Sequence, residues 1–79
     1  MITVRYFAGA RAAAGVQEEL LSARTLAELR AALSDRHGPR LTAVLGVASF
    51  LVDGVAWRDP DLALPDATTV DILPPFAGG

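Results

Sequence analysis

The last six residues, Pro-Pro-Phe-Ala-Gly-Gly at 74–79, combine two stiff residues, one large aromatic residue and two residues without side chains. Pro74 and Pro75 donate no backbone hydrogen bond and fix φ, so they favour an extended, semi-rigid segment. Gly78 and Gly79 have no Cβ atom, so another protein can approach their backbone closely or enclose it in a narrow channel. This order of residues favours a functional tail over a frayed, tolerant terminus.

The chemistry that such a tail offers is that of the Gly79 carboxylate. A carboxylate becomes a good electrophile only after activation, for example as an acyl adenylate that a thiolate or persulfide then attacks. A side chain beside the carbonyl would hinder this attack, and glycine has none. We therefore expect a partner enzyme to activate Gly79.

The rest of the chain carries no pattern for independent catalysis, such as a Ser-His-Asp set or a phosphate-binding glycine loop. There is no cysteine, and the single histidine, His37, has no companion with which to share a metal. We expect His37 to be an ordinary surface or helix-end residue. We also expect no metal site, no bound cofactor and no enzymatic activity of the chain on its own.

Composition narrows the class of protein further. Seventy-nine residues make one small domain with a thin core. The net charge of −2 and the pI near 5.1 give no electrostatic footprint for nucleic acid. No apolar run reaches the roughly 20 residues of a membrane span, and Arg5 and Arg11 interrupt the apolar start, which argues against a signal peptide. We expect a cytoplasmic protein whose apolar content of 52% includes a surface for a protein partner.

The first strand is predicted at 1–8, where apolar residues alternate. On this pattern the inner face carries Ile2, Val4, Tyr6 and Ala8, and the outer face carries Thr3, Arg5 and Phe7. Residues 10–15 are typical of a short helical turn, and 16–23 form a weaker strand candidate that contains two glutamates.

The main helix is predicted to begin after Thr25, which forms a capping box with Glu28. Leucines at 26, 29 and 33 follow at helical spacing. Gly38 and Pro39 end the helix, because glycine suits the C′ position and proline cannot continue it. Residues 40–46 are interpreted as a short turn of helix.

The second half of the sequence indicates strands at 47–52, 55–58 and 68–73, with Asp53-Gly54 as a hairpin turn and 59–67 as a loop. In the last strand Val70 and Ile72 are expected to face inward and Leu73 outward. The order β-β-α-β-β-β predicts an α+β fold with a mixed sheet of four to five strands packed on one main helix. We expect residues 1–73 to form the domain, 74–79 to form a flexible tail, and Phe7 and Leu73 to bind a partner.

Two segments, VRYFAGARAAAG at 4–15 and VDILPPFAGG at 70–79, resemble the MoaD branch of the MoaD/ThiS sulfur carriers, and the resemblance extends over the whole chain. The resemblance implies the ubiquitin-like β-grasp fold. It also implies that an E1-like, MoeB-like enzyme uses ATP to adenylate Gly79, which then becomes a thiocarboxylate. In this family the tail enters the channel of the partner. The resemblance assigns that position here to Pro74, Pro75, Phe76, Ala77 and Gly78, although the family commonly has valine in place of Phe76.

The same resemblance implies a role as the small subunit of molybdopterin synthase. In that role the carrier binds a MoaE-like large subunit, typically as a heterotetramer, and gives its sulfur to precursor Z to build the dithiolene of molybdopterin. One alternative is a carrier for another pathway, such as thiamin synthesis, cysteine synthesis or tRNA thiolation. The alternative from a different class is a β-grasp module that binds its partner without covalent chemistry.

Overall fold

The computed structural model describes residues 1–75 of the chain. The expectations for Phe76, Ala77, Gly78 and Gly79, including the flexibility of the tail, lie outside the described residues. Within residues 1–75 there are five strands and three helices: β1 (Ile2–Tyr6), α1 (Gly9–Ala14), β2 (Glu18–Leu21), α2 (Leu26–His37), α3 (Pro39–Leu45), β3 (Ser49–Val52), β4 (Val55–Trp57) and β5 (Thr69–Leu73).

The strands form one mixed sheet in the order β2-β1-β5-β3-β4. The first and last strands of the chain, β1 and β5, are parallel neighbours at its centre, and the other pairs are antiparallel. The predicted α+β class with a mixed sheet is confirmed. Because β5 has a neighbour on each side, the segment that follows Leu73 leaves from a well-supported part of the molecule.

The hydrophobic core lies between one face of the sheet and the helices. Helix α2 contributes its three leucines at the predicted spacing, and each is essentially fully buried. Full burial of one such side chain stabilises the fold by about 1.5–3 kcal/mol. The other core residues are Ile2, Val4, Tyr6, Ala10, Leu21, Leu41, Leu45, Phe50, Val52, Leu64, Val70 and Ile72.

Of two short sequence signals, the Asp53-Gly54 turn forms as predicted, whereas the capping box forms only in its Thr25 half, because Glu28 binds the Arg24 amide rather than the Thr25 amide. Thr25 is the N-cap of α2, where its Oγ1 accepts a hydrogen bond from the Glu28 amide at 3.2 Å, and a Glu28 carboxylate oxygen accepts from the Arg24 amide at the same distance. Asp53 and Gly54 both have positive φ, 48° and 86°, as a type I′ hairpin turn requires.

Three expectations need correction. Ala8 does not join the core, because β1 ends at Tyr6 and Ala8 takes a positive φ of 49° that turns the chain; it is exposed. The second strand is confined to Glu18–Leu21, since the chain before it belongs to the turn that follows α1. Residues 39–45 form a complete helix rather than a single turn, with Pro39 in its first turn and Leu41 and Leu45 in the core.

A candidate docking surface at the root of the tail

The root of the tail is the end of β5 together with Pro74 and Pro75. The Phe7 amide donates to the Ile72 carbonyl at 3.2 Å, which extends the β1–β5 pairing beyond the end of β1. On the other side, Leu73 lies opposite Ser49 of β3. Pro74 is half-buried and Pro75 is exposed. The two prolines therefore emerge from a strand that is held on both sides up to its last residue.

Beside this root lies a concave apolar patch, here called the tail-root surface, on the face of the sheet opposite the helices. Its open hollow has a volume of about 380 Å³. Phe7, which is 36% exposed, and half-buried Leu73 both line it. The other lining residues are Ala8, Ser49, Leu51, Ala56, Pro74 and Pro75. The structure thus brings Phe7 and Leu73 together on the outer face with the start of the tail, while their role in binding stays a prediction.

Sequence reasoning did not include Leu51 and Ala56 in this surface. Both positions follow from the hairpin, because Leu51 lies between buried Phe50 and Val52 and therefore points to the opposite face. Ala56 pairs with Leu51 across β3 and β4, so its side chain points to the same face. The alternation in residues 49–52 was sufficient to find Leu51, and the two-residue turn at Asp53-Gly54 then gives Ala56 as its partner.

Charge at the edge of the tail-root surface comes from Arg5 and Asp71, which pair across β1 and β5. Arg5 Nε lies 2.9 Å from Asp71 Oδ1, but Oδ1 accepts no well-aligned hydrogen bond, so the contact is an ion pair. The Arg5 guanidinium also lies over the Phe7 ring, 5.4 Å from its centroid. This cation–π contact holds the Phe7 ring against the sheet and places a positive charge beside the apolar patch.

A second hollow, of about 340 Å³, adjoins Phe7 on the side away from β5. It is polar, and its charged lining residues are Arg5, Arg11 and Glu18. The apolar tail-root surface therefore has a charged margin next to Phe7. Such an arrangement of apolar centre and charged margin is common in protein–protein interfaces.

On the helix side of the sheet, Glu19 of β2 binds three side chains. Its carboxylate accepts a hydrogen bond of 2.6 Å from the buried Tyr6 hydroxyl, and it lies 2.5 Å from both Arg36 Nη1 and His37 Nε2. Burial alone would raise the pKa of Glu19, but the hydrogen bonds from Tyr6, Arg36 and His37 outweigh it and hold that pKa below its usual value of 4.5. Burial and the bond to Glu19 raise the pKa of Tyr6 well above its usual range.

This contact adds to the expectation for His37, whose position at the end of a helix is confirmed. The residue is also partly buried and bonded to Glu19, so it is not an ordinary surface residue. Its ring also packs edge-on against the Tyr6 ring, with centroids 5.9 Å apart. Glu19, Tyr6 and His37 together tie the end of α2 to the sheet and take no part in the tail-root surface.

Two further observations concern other kinds of site. Within residues 1–75, no three side chains of His, Cys, Asp or Glu come close enough together to hold a metal ion. None of the three helices in that range is long and apolar enough to cross a membrane.

Comparison with solved structures gives chains with the same fold over nearly their whole length. Small archaeal modifier protein 1 from Methanosarcina acetivorans is 27% identical with a TM-score of 0.86, and the match covers 99% of this chain and 95% of that one. A chain of the complex of subunits 1 and 2 of molybdopterin-converting factor from Helicobacter pylori 26695 is also 27% identical, with a TM-score of 0.76 and coverage of 99% and 97%. Small archaeal modifier protein 1 from Haloferax volcanii, at 22% identity and a TM-score of 0.84, covers 99% of this chain and 98% of its own and shows the shared fold.

Comparison with curated protein sequences gives no match. The model of the ThiS family matches residues 4–79, which is nearly the whole chain and includes the Gly-Gly end. The five-stranded mixed sheet agrees with the β-grasp fold of the structural neighbours. The chain therefore belongs to the ThiS family, with the β-grasp fold of the ubiquitin-like sulfur carriers.

Proposed function

We propose that this chain is the sulfur-carrying small subunit of a molybdopterin synthase and has no catalytic activity of its own. The observation that carries the proposal is the position of the tail root, where the central strand β5 ends beside an exposed apolar patch and continues into Pro-Pro-Phe-Ala-Gly-Gly. A carrier has to present its reactive end to more than one partner. A stiff attachment and an adjacent docking surface serve that purpose.

The reaction takes place at the carboxylate of Gly79. An E1-like enzyme uses ATP, the carboxylate oxygen attacks the α-phosphorus, and pyrophosphate leaves. A sulfide nucleophile then attacks the acyl carbon and AMP leaves, so that a thiocarboxylate remains. The chain holds no cofactor in this scheme, and ATP belongs to the activating enzyme. The location that fits this role is the cytoplasm, where we place the protein.

The large subunit would supply the active site for transfer to precursor Z. Phe7 and Leu73 would contact that subunit, and residues 74–78 would enter its channel so that Gly79 reaches the acceptor. A neighbour of the same fold was solved as a complex of subunits 1 and 2 of molybdopterin-converting factor, which supports a larger subunit as partner. We propose the same pairing here, assembled as a heterotetramer.

A second candidate is a carrier that delivers sulfur to a different acceptor. The chain is 27% identical to a small archaeal modifier protein and equally 27% identical to a chain of molybdopterin-converting factor, so we keep this candidate beside the first. It shares the activation of Gly79 and differs only in the final acceptor.

Intact-mass spectrometry tests the proposal. The chain is incubated with ATP, an E1-like enzyme and a sulfur donor, and the expected product is heavier by the exchange of one oxygen for one sulfur at Gly79. A large subunit with precursor Z should then restore the original mass. A loaded chain that precursor Z leaves unchanged but another acceptor discharges would favour the second candidate. A chain that never gains the sulfur would overturn both.

A further inference from the structure

Both outer strands of the sheet have one open edge among the described residues, and the two edges differ in character. Strand β2 carries Glu18 and Glu19, and charged residues are a common device that keeps an edge strand from pairing with another chain. Strand β4 reads Val55-Ala56-Trp57, with neither a charge nor a proline. All three of its residues are exposed, so β4 is an unprotected edge.

The hydrogen-bonding direction of β4 follows from its neighbours. At the end of β3 the Asp53 amide donates to the Thr69 carbonyl of β5 at 2.8 Å. The backbone groups of successive residues in a strand point alternately to its two neighbours, so those of Phe50 and Val52 point towards β4. Their partners Trp57 and Val55 therefore use their amides and carbonyls within the hairpin. Ala56, in between, directs its N–H and C=O away from the sheet.

The side chains of β4 add a second feature. Val55 pairs with buried Val52 and Trp57 with buried Phe50, so both side chains point to the helix side of the sheet. The helices do not cover them: Val55 is 56% exposed and Trp57 is 41% exposed. An open backbone edge and two uncovered apolar side chains thus coincide on one short strand.

We propose that β4 pairs with β4 of a second copy of this chain in an antiparallel, two-fold symmetric dimer. With the axis at Ala56, each Ala56 N–H donates to the Ala56 carbonyl of the other copy. Val55 of each copy then faces Trp57 of the other, and β-branched and aromatic residues form favourable cross-strand pairs.

We choose a second copy of this chain as the partner because β4 is complementary to itself in this arrangement. The two-fold axis matches donor with acceptor at Ala56 and matches Val55 with Trp57 twice, without any change in the fold. It also places Arg58 opposite Gly54, so Arg58 meets no like charge there. The contact is only one short strand long, so the dimer is weak and forms reversibly as concentration rises. This inference rests on the fold and does not depend on the proposed function.

Sedimentation equilibrium of the full chain over a roughly hundredfold concentration range tests the dimer. The average mass of the wild type should rise from the monomer value of 8.3 kDa towards twice that value. Val55→Glu places a charge in the contact between the two β4 strands, at a position that is exposed in the monomer, and should keep the chain monomeric. Leu20→Glu is the matched control, because Leu20 is 58% exposed on the other edge strand, and it should behave like the wild type.

Two further measurements show whether the dimer forms through the contact between the two β4 strands. Trp57 is the only tryptophan, so its emission should shift to the blue with concentration in the wild type and in Leu20→Glu but not in Val55→Glu. Ala56→Pro removes the outward donor and leaves the hairpin bonds of Val55 and Trp57 in place, so it should also be monomeric. A wild type that stays monomeric throughout, or a dimer that Val55→Glu does not weaken relative to Leu20→Glu, would overturn the proposal.

Discussion

Phe7 and Leu73 lie on the same outer face of the sheet, at the adjoining ends of the parallel central strands, and both line the tail-root surface. Neither is needed to close the core, which lies on the opposite face. Phe7→Asp and Leu73→Asp should each weaken binding of the large subunit by more than about 2 kcal/mol, the scale of an interface anchor. Calorimetric titration measures this loss.

The matched control for this prediction is Leu20→Asp. Leu20 pairs with Thr3 and is an exposed apolar residue on β2, away from the tail-root surface. It should bind the large subunit as the wild type does, and all three variants should keep the circular dichroism of the folded protein. Unfolding of the Phe7 or Leu73 variant, or equal affinity for all three, would contradict the assignment of this surface.

Thr25 caps α2 through its hydroxyl, which accepts the hydrogen bond from the Glu28 amide. Thr25→Ala leaves this amide without its partner and should lower the free energy of unfolding by about 1 kcal/mol. Thr25→Ser, which keeps the hydroxyl, is the control and should lose much less. Urea denaturation compares the two, and an equal loss in both would show that the methyl group rather than the cap matters.

The parts of the fold that sequence reasoning found are those with local causes. The N-cap at Thr25, the positive-φ pair Asp53-Gly54 and the alternation around Val4 and Tyr6 each depend on residues a few positions apart. These signals locate elements and assign strand faces. They are also sufficient to place Phe7 and Leu73 on the outer face, because alternation alone decides which way a strand residue points.

The parts that were missed depend on residues far apart in the chain. In the sequence, Glu19 indicates only a weaker strand, yet Tyr6, Arg36 and His37 bind its carboxylate in the structure, and His37 lies 18 positions away. The tail-root surface includes Leu51 and Ala56, which line the same hollow as Phe7 because β5 joins β1 to β3 in one sheet. No pattern among residues that are close in sequence predicts this order of strands in the sheet.

The Glu19 carboxylate predicts how stability depends on pH. Its pKa in the folded state is lowered, so the native state holds the proton less tightly than the unfolded chain does. The stabilisation is fully present above the usual value of 4.5 and is lost as pH falls through the lower native value. Glu19→Gln should therefore cost about 1.5–3 kcal/mol at neutral pH, the range for hydrogen bonds to a charged group, and progressively less in acid.

Urea denaturation of the wild type and Glu19→Gln over a series of pH values measures this difference. The control is Glu18→Gln, because Glu18 is the exposed neighbour of Glu19 on the same strand and makes no hydrogen bond through its carboxylate in the described part of the chain. Its substitution should change stability little at any pH. A Glu19→Gln deficit that stays constant down to strongly acidic pH would mean that the charge of Glu19 does not contribute.

The position of the Gly79 carboxylate gives the most direct test of the carrier function. Deletion of Gly79 should abolish sulfur loading and transfer, and addition of one residue after it should be as damaging, because each change moves the reactive carbonyl by one residue along the partner's channel. The midpoint of thermal unfolding should stay nearly unchanged in both, since the core of the described part of the chain is built from residues 2–72. Gly79→Ala is the intermediate control: it keeps the carboxylate in place but adds a Cβ atom beside it, so we expect loading that is slower but measurable.

Intact-mass kinetics with the E1-like enzyme follow sulfur loading of these variants, and addition of the large subunit follows sulfur transfer. A shortened or lengthened chain that loads and delivers sulfur at the wild-type rate would show that the tail does not carry the reaction.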